Sequence, residues 1–246
     1  MNRIIVLLIS VFTSFSTYAQ FKNVKYQDGN QVLNGLVTDQ AEKNLPGVLI
    51  LPAWKGIDDE SRDAAKLLAE EGYQVFIADI YGEGNIPTDN ASAGQLAGRY
   101  KKDYSAYQHR IQLALEAFYK QGVNPSKVVV IGYCFGGTGA LEVARANMPV
   151  QAVVSIHGGL SKDSARPNNE IKTKVLVQHP AEDKSVSKAD YDQLVEELRA
   201  GRADWQIITY ANSGHTFTNP AAADYNEIMA KRAWEHLILF LKENLK

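Results

Sequence analysis

The chain has 246 residues, of which 45% are hydrophobic and 22% charged, with 26 basic and 28 acidic side chains. These fractions are typical of a globular protein and exclude a disordered, collagen-like or coiled-coil chain. A net charge of -2, without a basic block or stripe, argues against nucleic-acid binding. An α/β chain of this length can bury the core of one domain, and two small domains are the weaker alternative.

The N-terminal segment has the features of a secretory signal peptide. Arg3 provides a positive start, residues 4–15 are mostly apolar, and Thr17-Tyr18-Ala19 places small residues at the positions that signal peptidase reads. We therefore expect removal of residues 1–19, which leaves a periplasmic or secreted domain over residues 20–246 without a stable membrane anchor. The alternatives are a buried first strand and an uncleaved anchor, but the apolar segment is shorter than the roughly 20 residues that span a bilayer.

The hydrophobic pattern predicts an α/β fold. Two alternating runs between Val24 and Thr38, separated by Asp28-Gly29-Asn30, indicate an antiparallel hairpin. Strands that are buried on both faces read as continuous apolar runs, and such runs occupy residues 48–51, 75–78, 128–131, 152–156, 175–177 and 205–208. The helices predicted between and after them cover residues 60–71, a long segment that follows a polar stretch at residues 81–98 and ends near Gly122, residues 140–147 and residues 221–245. The expected architecture is a mostly parallel sheet with helices on both faces, preceded by the hairpin.

The only cysteine lies where such a fold exposes a nucleophile. Cys134 follows the third parallel strand, in Gly132-Tyr133-Cys134-Phe135-Gly136-Gly137, and a helical segment comes next. The flanking glycines permit a sharp turn that raises the thiol above the sheet, and the N-terminus of the helix favours a thiolate. A single cysteine forms no internal disulfide, so a buried apolar filler or a link between two subunits is the alternative.

A nucleophile of this kind needs an acid and then a histidine later in the chain. Asp183 and His215 each follow a predicted strand, so both reach the sheet edge at which the strands end. Glu182 competes with Asp183 for the role of the acid. A helix cap or solvated turn for Asp183 and a surface loop for His215 are the alternatives, but the ordered set predicts nucleophilic catalysis.

The remaining polar residues predict a pocket without a metal. There is no Cys-x-x-Cys motif and the five histidines are scattered, so we expect neither a metal site nor a cofactor. We expect Tyr81, His157 and Phe217 to line the substrate pocket. Arg99 and Arg110 are either solvated helix charges or anchors for a substrate anion. The sequence leaves open whether the chain is a monomer or a homodimer.

The segment around Cys134, the Pro180-Ala181-Glu182-Asp183 turn and Gly214-His215-Thr216-Phe217-Thr218-Asn219-Pro220 resemble the dienelactone hydrolase family of α/β-hydrolases. The similarity covers residues 40–246. It implies an α/β-hydrolase fold and hydrolysis of a small ester, thioester or lactone through a triad of Cys134, His215 and Asp183. It also implies an oxyanion hole formed by the main-chain N–H groups of Trp54 and Phe135.

Two positions depart from the archetype of that family. Ala53 stands where the archetype has a glutamate that touches the resting thiol, and Asn219 is the nearest match to an arginine that holds the substrate carboxylate. Without the glutamate, we expect a standing ion pair between Cys134 and His215. A carboxylate that folds back from the following segment would change this expectation, and the candidates are Asp58, Asp59 and Glu60.

These departures leave two alternatives to a hydrolase. One is a hydrolase-fold binding protein with little or no turnover, which the residues at the two positions favour. The other is a thiol that reacts with peroxide, but this chain has no second cysteine to resolve the oxidised form.

The signal-peptide interpretation predicts that the mature protein begins at Gln20. Mass analysis of the N-terminus, on protein purified from its native host, measures this directly. Recovery of intact Met1 from the cytoplasmic fraction would contradict the prediction.

Overall fold

The computed structural model describes residues 20–245, so the predicted signal peptide lies outside the described residues. The strands of the central sheet are β1 (Phe21–Asp28), β2 (Gln31–Thr38), β3 (Gly47–Leu51), β4 (Gln74–Ile77), β5 (Val128–Tyr133), β6 (Ala152–Ile156), β7 (Lys174–Pro180) and β8 (Trp205–Tyr210). The helices are α1 (Asp59–Glu70), α2 (Asn90–Lys102), α3 (Tyr104–Tyr119), α4 (Phe135–Arg145), α5 (Lys188–Ala200) and α6 (Glu227–Asn244).

The sheet has the strand order β1-β2-β4-β3-β5-β6-β7-β8. The hairpin β1–β2 and the pair β2–β4 are antiparallel, and every other pair is parallel. This arrangement confirms the predicted fold class. Because β3, β5, β6, β7 and β8 run in one direction, their carboxyl ends meet at one edge of the sheet, which is where ligands bind in such folds.

The two faces of the sheet carry separate cores, as a sheet of buried parallel strands requires. Helices α1 and α6 cover one face, where Leu68 and Leu241 are fully buried. Helices α2 to α5 cover the other face, where Tyr107 and Phe118 are fully buried. In the part of the chain that is described, no helix combines the length and apolar character needed to cross a membrane.

Several helix boundaries differ from the prediction. The predicted long helix is two helices, because Asp103 interrupts it and caps α3 by accepting a hydrogen bond from the Ala106 N–H at 3.0 Å. Helix α2 begins at Asn90, inside the stretch predicted to be a polar connection, where Asp89 supplies the N-terminal cap. The terminal helix begins at Glu227 rather than at residue 221, because residues 221–226 form turns.

Helix α4 begins earlier than predicted, at Phe135 rather than at residue 140. The glycines that follow Cys134 indicate a turn in the sequence, but here they form the first turn of the helix. The reason is steric: a Cβ at Gly136 would collide with main-chain atoms of Leu51 and Pro52 at the end of β3. Glycine therefore lets the N-terminus of α4 lie directly against that strand.

The hairpin is tied to the sheet by polar contacts. Asp79 accepts hydrogen bonds from the N–H groups of Asn34 and Tyr81, at 2.9 and 3.0 Å. Arg110 pairs with Asp28 at 2.7 Å and donates to the carbonyl of Ile80 at 3.0 Å. Arg110 is therefore engaged in holding the fold together, and of its two sequence-based alternatives the structure supports neither a solvated charge nor a substrate anchor.

A variant tests the contact between α4 and β3. Gly136→Ala should lower the free energy of unfolding by about 3 kcal/mol or more, because the backbone of Leu51 is held in the sheet and cannot give way. Urea denaturation measures the effect. Gly98→Ala is the matched control, since that helical glycine faces open space and its replacement should stabilise α2 by roughly 0.5–1 kcal/mol. Equal stability of the two variants would contradict the prediction.

Candidate active site

The central feature of the site is the backbone at Cys134, which joins β5 directly to α4. Its φ and ψ are 53° and −110°, and a positive φ is rare for a residue with a side chain. Such strain persists only where the surroundings enforce it, and it is found at functional sites. A Cβ at Gly132 would collide with the carbonyl of Gly136, so the turn needs glycine on both sides of the thiol.

The structure brings the predicted nucleophile, base and acid into one hydrogen-bonded series. His215 Nε2 lies 3.1 Å from Cys134 Sγ, and His215 Nδ1 lies 2.8 Å from Asp183 Oδ2. Cys134 and His215 are partly exposed, whereas Asp183 is buried. A nucleophile, a base and an orienting carboxylate within hydrogen-bond reach are the geometry that nucleophilic catalysis requires.

The electrostatics of this series favour an imidazolium. Burial by itself would lower the pKa of His215, but hydrogen bonds that its ring donates to Asp183 and Cys134, together with the electrostatic attraction of these two groups, raise that pKa to about 10. Burial would likewise raise the pKa of Asp183, but hydrogen bonds from His215 and from the Ser185 N–H outweigh it and lower that pKa below its ordinary value. Both shifts favour a charged pair of His215 and Asp183.

The competing acid lies elsewhere. Glu182 is exposed, and it contacts the loop of His215 only through its main chain, whose N–H donates to the Ser213 carbonyl at 3.0 Å. The residue that reaches the imidazole is Asp183. Although the two residues are adjacent in the turn after β7, the side chain of Glu182 faces solvent and that of Asp183 is buried against His215.

Two main-chain N–H groups near the thiol have no acceptor. Among the described residues, neither the Trp54 nor the Phe135 N–H donates a hydrogen bond. Tyrosine hydroxyls hold the carbonyls of the same two residues: Tyr81 donates to Trp54 at 2.9 Å and Tyr107 donates to Phe135 at 3.0 Å. The Phe135 ring also stacks on both tyrosines, at centroid distances of 5.8 and 4.5 Å. The main chain of both residues is thus held in place, while their N–H groups remain available to a ligand.

Three residues predicted to line the substrate pocket are instead buried behind the site. Tyr81, His157 and Phe217 are 2%, 1% and 0% exposed, so they present almost no side-chain surface to a ligand in this structure. They follow strand or loop ends as expected, but their side chains turn inward and support the main chain. His157 Nδ1 accepts a hydrogen bond from the Cys134 N–H at 3.1 Å. Burial and the nearby charge of His215 lower the pKa of His157 to about 3, so this imidazole is neutral.

The two departures from the family archetype have different outcomes. No carboxylate touches the thiol near Ala53, but Glu60 does reach the edge of the site, where it accepts a hydrogen bond from Thr218 Oγ1 at 2.7 Å. Asn219 is used locally, since its side chain accepts a hydrogen bond from the Ala221 N–H at 2.9 Å. Arg99, the other candidate anion anchor, is exposed on α2.

Sequence reasoning missed Tyr107 and Thr218. Tyr107 lies in the middle of α3, where an aromatic residue usually indicates core packing, and nothing in the sequence distinguishes its hydroxyl. Thr218 lies three residues after His215 in the chain, which was a usable signal. In the described residues no group of histidine, cysteine and carboxylate side chains is placed to hold a metal ion.

The sheet order, the strained turn after β5 and the geometry around its thiol define an α/β-hydrolase. The sequence profile of the dienelactone hydrolase family matches residues 33–245. The chain therefore belongs to the dienelactone hydrolase family, and it is an ester or lactone hydrolase. This outcome favours turnover over the alternative of a binding protein without activity.

Known proteins are similar over most of the chain. The crystal structure of a dienelactone hydrolase-like promiscuous phosphotriesterase from metagenomic libraries is 31% identical, covers 93% of this chain and 100% of its own, and superposes with a TM-score of 0.88. An Escherichia coli protein named for carboxymethylenebutenolidase activity is 23% identical over 92% of this chain and 87% of its own length. A Bradyrhizobium protein named for a 2-oxo-3-(5-oxofuran-2-ylidene)propanoate lactonase activity is 23% identical over 82% of this chain and 85% of its own.

The imidazolium next to the thiol predicts an unusual pH profile for alkylation. The rate at which iodoacetamide modifies Cys134 in the free enzyme should be constant from about pH 6 upward, because charged His215 and the N-terminus of α4 favour the thiolate. Mass spectrometry of the protein, quenched over time at each pH, gives the rate. A rate that climbs through about pH 8.5, as for an ordinary thiol, would show that no standing ion pair exists.

Proposed function

We propose that the mature chain is a secreted or periplasmic hydrolase that cleaves a small carboxylic ester, thioester or lactone through a triad of Cys134, His215 and Asp183. The observation that carries this proposal is the series Cys134 Sγ–His215–Asp183, with separations of 3.1 and 2.8 Å. The expected N-terminal signal segment supports the location, and the lactonase and phosphotriesterase names of relatives support a broad hydrolytic chemistry.

The first half of the reaction forms an acyl-enzyme. The Cys134 thiolate attacks the substrate carbonyl carbon, and the carbonyl oxygen becomes an oxyanion that accepts hydrogen bonds from the Trp54 and Phe135 N–H groups. Donors of this kind, held in place before the reaction, contribute several kcal/mol to transition-state stabilisation. When the tetrahedral intermediate collapses, the bond to the leaving group breaks and His215 Nε2 gives its proton to the departing alkoxide or thiolate.

The second half restores the enzyme. His215, now neutral, accepts a proton from water as the water oxygen attacks the acyl carbon. The second tetrahedral intermediate expels the Cys134 thiolate and releases the carboxylic acid, so the thiolate and the imidazolium are regenerated together. Asp183 keeps the proton of His215 Nδ1 in place throughout, which leaves Nε2 directed at the thiol.

Variants of the triad test the proposal. Cys134→Ala and His215→Ala should each lower kcat/KM for p-nitrophenyl acetate by about 10³-fold or more, and the double variant should lose no more than either, because the two groups act as a unit. Asp183→Asn should cost less, since this residue only orients the base. Circular dichroism checks that each variant folds.

Glu182→Gln is the matched control, because this carboxylate is exposed next to the proposed acid. Its activity should stay within about twofold of the wild type. Wild-type rates in Cys134→Ala would contradict the proposed function. A crippled Glu182→Gln together with a nearly normal Asp183→Asn would instead mean that the acid is assigned incorrectly. A screen of activated esters, thioesters and lactones then defines the substrate.

A further inference from the structure

A series of hydrogen bonds leads from the main chain of the nucleophile to a carboxylate on another helix. The Cys134 N–H donates to His157 Nδ1 at 3.1 Å. His157 Nε2 lies 2.9 Å from Thr218 Oγ1, and Thr218 Oγ1 donates to Glu60 Oε1 at 2.7 Å. None of these side chains belongs to the proposed triad. The sequence indicates Glu60 as a carboxylate that could approach the site and His157 as a pocket residue, but not the connection between them.

The donors in this series point in one direction. A main-chain N–H is always a donor, so His157 Nδ1 must be the acceptor and the ring proton must be on Nε2. Nε2 then donates to Thr218 Oγ1, which leaves the Thr218 hydroxyl proton free for Glu60. The low pKa of His157 agrees with a single ring proton. If the hydrogen bonds ran in the opposite direction, His157 would carry a proton on Nδ1 that faces the Cys134 N–H. The series therefore ends with Glu60 as the acceptor.

The series also connects the segments that must be aligned for the reaction. Glu60 is in the first turn of α1, Thr218 is in the loop that carries His215, and His157 follows β6. His157, like Cys134, has a positive φ, of 41°. The strained turn at the nucleophile and the loop of the base therefore share one set of hydrogen bonds, and the last acceptor is a carboxylate.

We propose that Glu60, acting through Thr218 and His157, is a positioning residue that holds the main chain of Cys134 and the loop of His215 in their reactive arrangement. Ionised Glu60 accepts a charge-assisted bond, which is about twice as strong as a neutral one. Its negative charge also lies near His215 and favours the imidazolium. This inference rests on the proposed function, because it assigns Glu60 a role in the chemistry of the same thiol.

The surroundings of Glu60 place its ionisation at neutral pH. It borders a cavity of about 450 Å³ whose apolar wall includes Leu67 and Trp234. Burial raises the pKa of Glu60 to about 7, and the charge of Asp58 also raises it, against the hydrogen bond from Thr218 and the charge of His215. The other titratable groups that face this region are Asp59 and Asp63 of α1, Tyr133 at the end of β5, His157 after β6, Tyr225 in the loop after β8, and Glu227 and Lys231 of α6.

The raised pKa of Glu60 also predicts how its replacement affects stability. The folded-state pKa of Glu60 lies above its ordinary value of 4.5, so ionisation makes the fold less stable as the pH rises from about 5 to 7. Glu60→Gln removes that loss and keeps an amide oxygen that can accept from Thr218. We therefore expect Glu60→Gln to have a higher Tm than the wild type at pH 8, together with a lower activity.

The decisive measurement is the ratio of wild-type to Glu60→Gln kcat/KM across pH. The ratio should be near one at about pH 5.5 and rise to about threefold to tenfold at pH 8, with a midpoint near pH 7. A tenfold change corresponds to about one pKa unit of altered interaction. The loss should appear in kcat and not in KM, because Glu60 does not touch the substrate. Glu70→Gln, on the exposed end of the same helix, is the matched control and should show a ratio of one at every pH.

Substitutions of Thr218 test the connection independently, including the case in which Glu60→Gln does not fold. Thr218→Val keeps the shape but removes the hydroxyl, and should lower kcat at pH 8 about as much as Glu60→Gln. Thr218→Ser restores the hydroxyl and should recover most of the wild-type rate. In the double variant with Glu60→Gln, Thr218→Val should add little, since both changes break one series.

The outcomes separate this inference from the proposed function. A wild-type to Glu60→Gln ratio that does not change with pH, or a Thr218→Val enzyme with full activity, would overturn the role of Glu60 while Cys134→Ala stays inactive. If Cys134→Ala keeps wild-type activity in the same assay, the proposed triad fails instead. A ratio that rises through pH 7 with unchanged KM supports the role of Glu60.

Discussion

The structure of the site depends on one steric constraint, the absence of a side chain two positions before and two positions after Cys134. Gly132 and Gly136 let the end of β5, the start of α4 and the end of β3 approach more closely than any Cβ would permit. This approach forces the positive φ of Cys134. It also packs the first turn of α4 against Leu51 and Pro52, which come shortly before Trp54 in the chain. The strained turn and the two unengaged donors are consequences of the same close packing.

The strained turn persists because hydrogen bonds hold it from several directions. The Cys134 N–H donates both to the Ile156 carbonyl, at 3.0 Å, and to His157. Tyr81 and Tyr107 fix the carbonyls of Trp54 and Phe135, the residues proposed to form the oxyanion hole. The side chains of Tyr81, Tyr107 and His157 are buried and uncharged at neutral pH, whereas Cys134 and His215 are partly exposed and the pKa of His215 favours its charged form. Rigid neutral support around a charged centre is the arrangement by which a protein orders dipoles before a reaction begins.

The carboxylate of Glu60 lies near the site but does not replace the glutamate that the family archetype has at position 53. The alanine at position 53 leaves the thiol without the acceptor of the family archetype, and Glu60 does not restore that contact. It lies instead at the far end of a series that reaches Cys134 through its main chain. The titratable side chain that contacts the thiol is therefore His215, and its hydrogen bonds to Asp183 and Cys134 raise its pKa to about 10. The carboxylate near the site thus lies at a different place from the one that the resemblance implies, although Cys134, Asp183 and His215 follow one another in the order that it implies.

The sequence by itself determined the sheet, the turn at Cys134 and the chain order of Cys134, Asp183 and His215, because strand burial and glycine spacing are local properties that a pattern records. It did not determine where α2 and α6 begin, since the capping residues Asp89 and Asn226 compete with other polar residues nearby. Only the tertiary structure decided which side chains near the strand ends turn inward. Tyr81, His157 and Phe217 follow strands or loops in the expected places, but their burial depends on packing between segments that are distant in the chain. The series from Glu60 to Cys134 has the same origin: its members are distant in the sequence, and no local pattern reports a hydrogen bond between them.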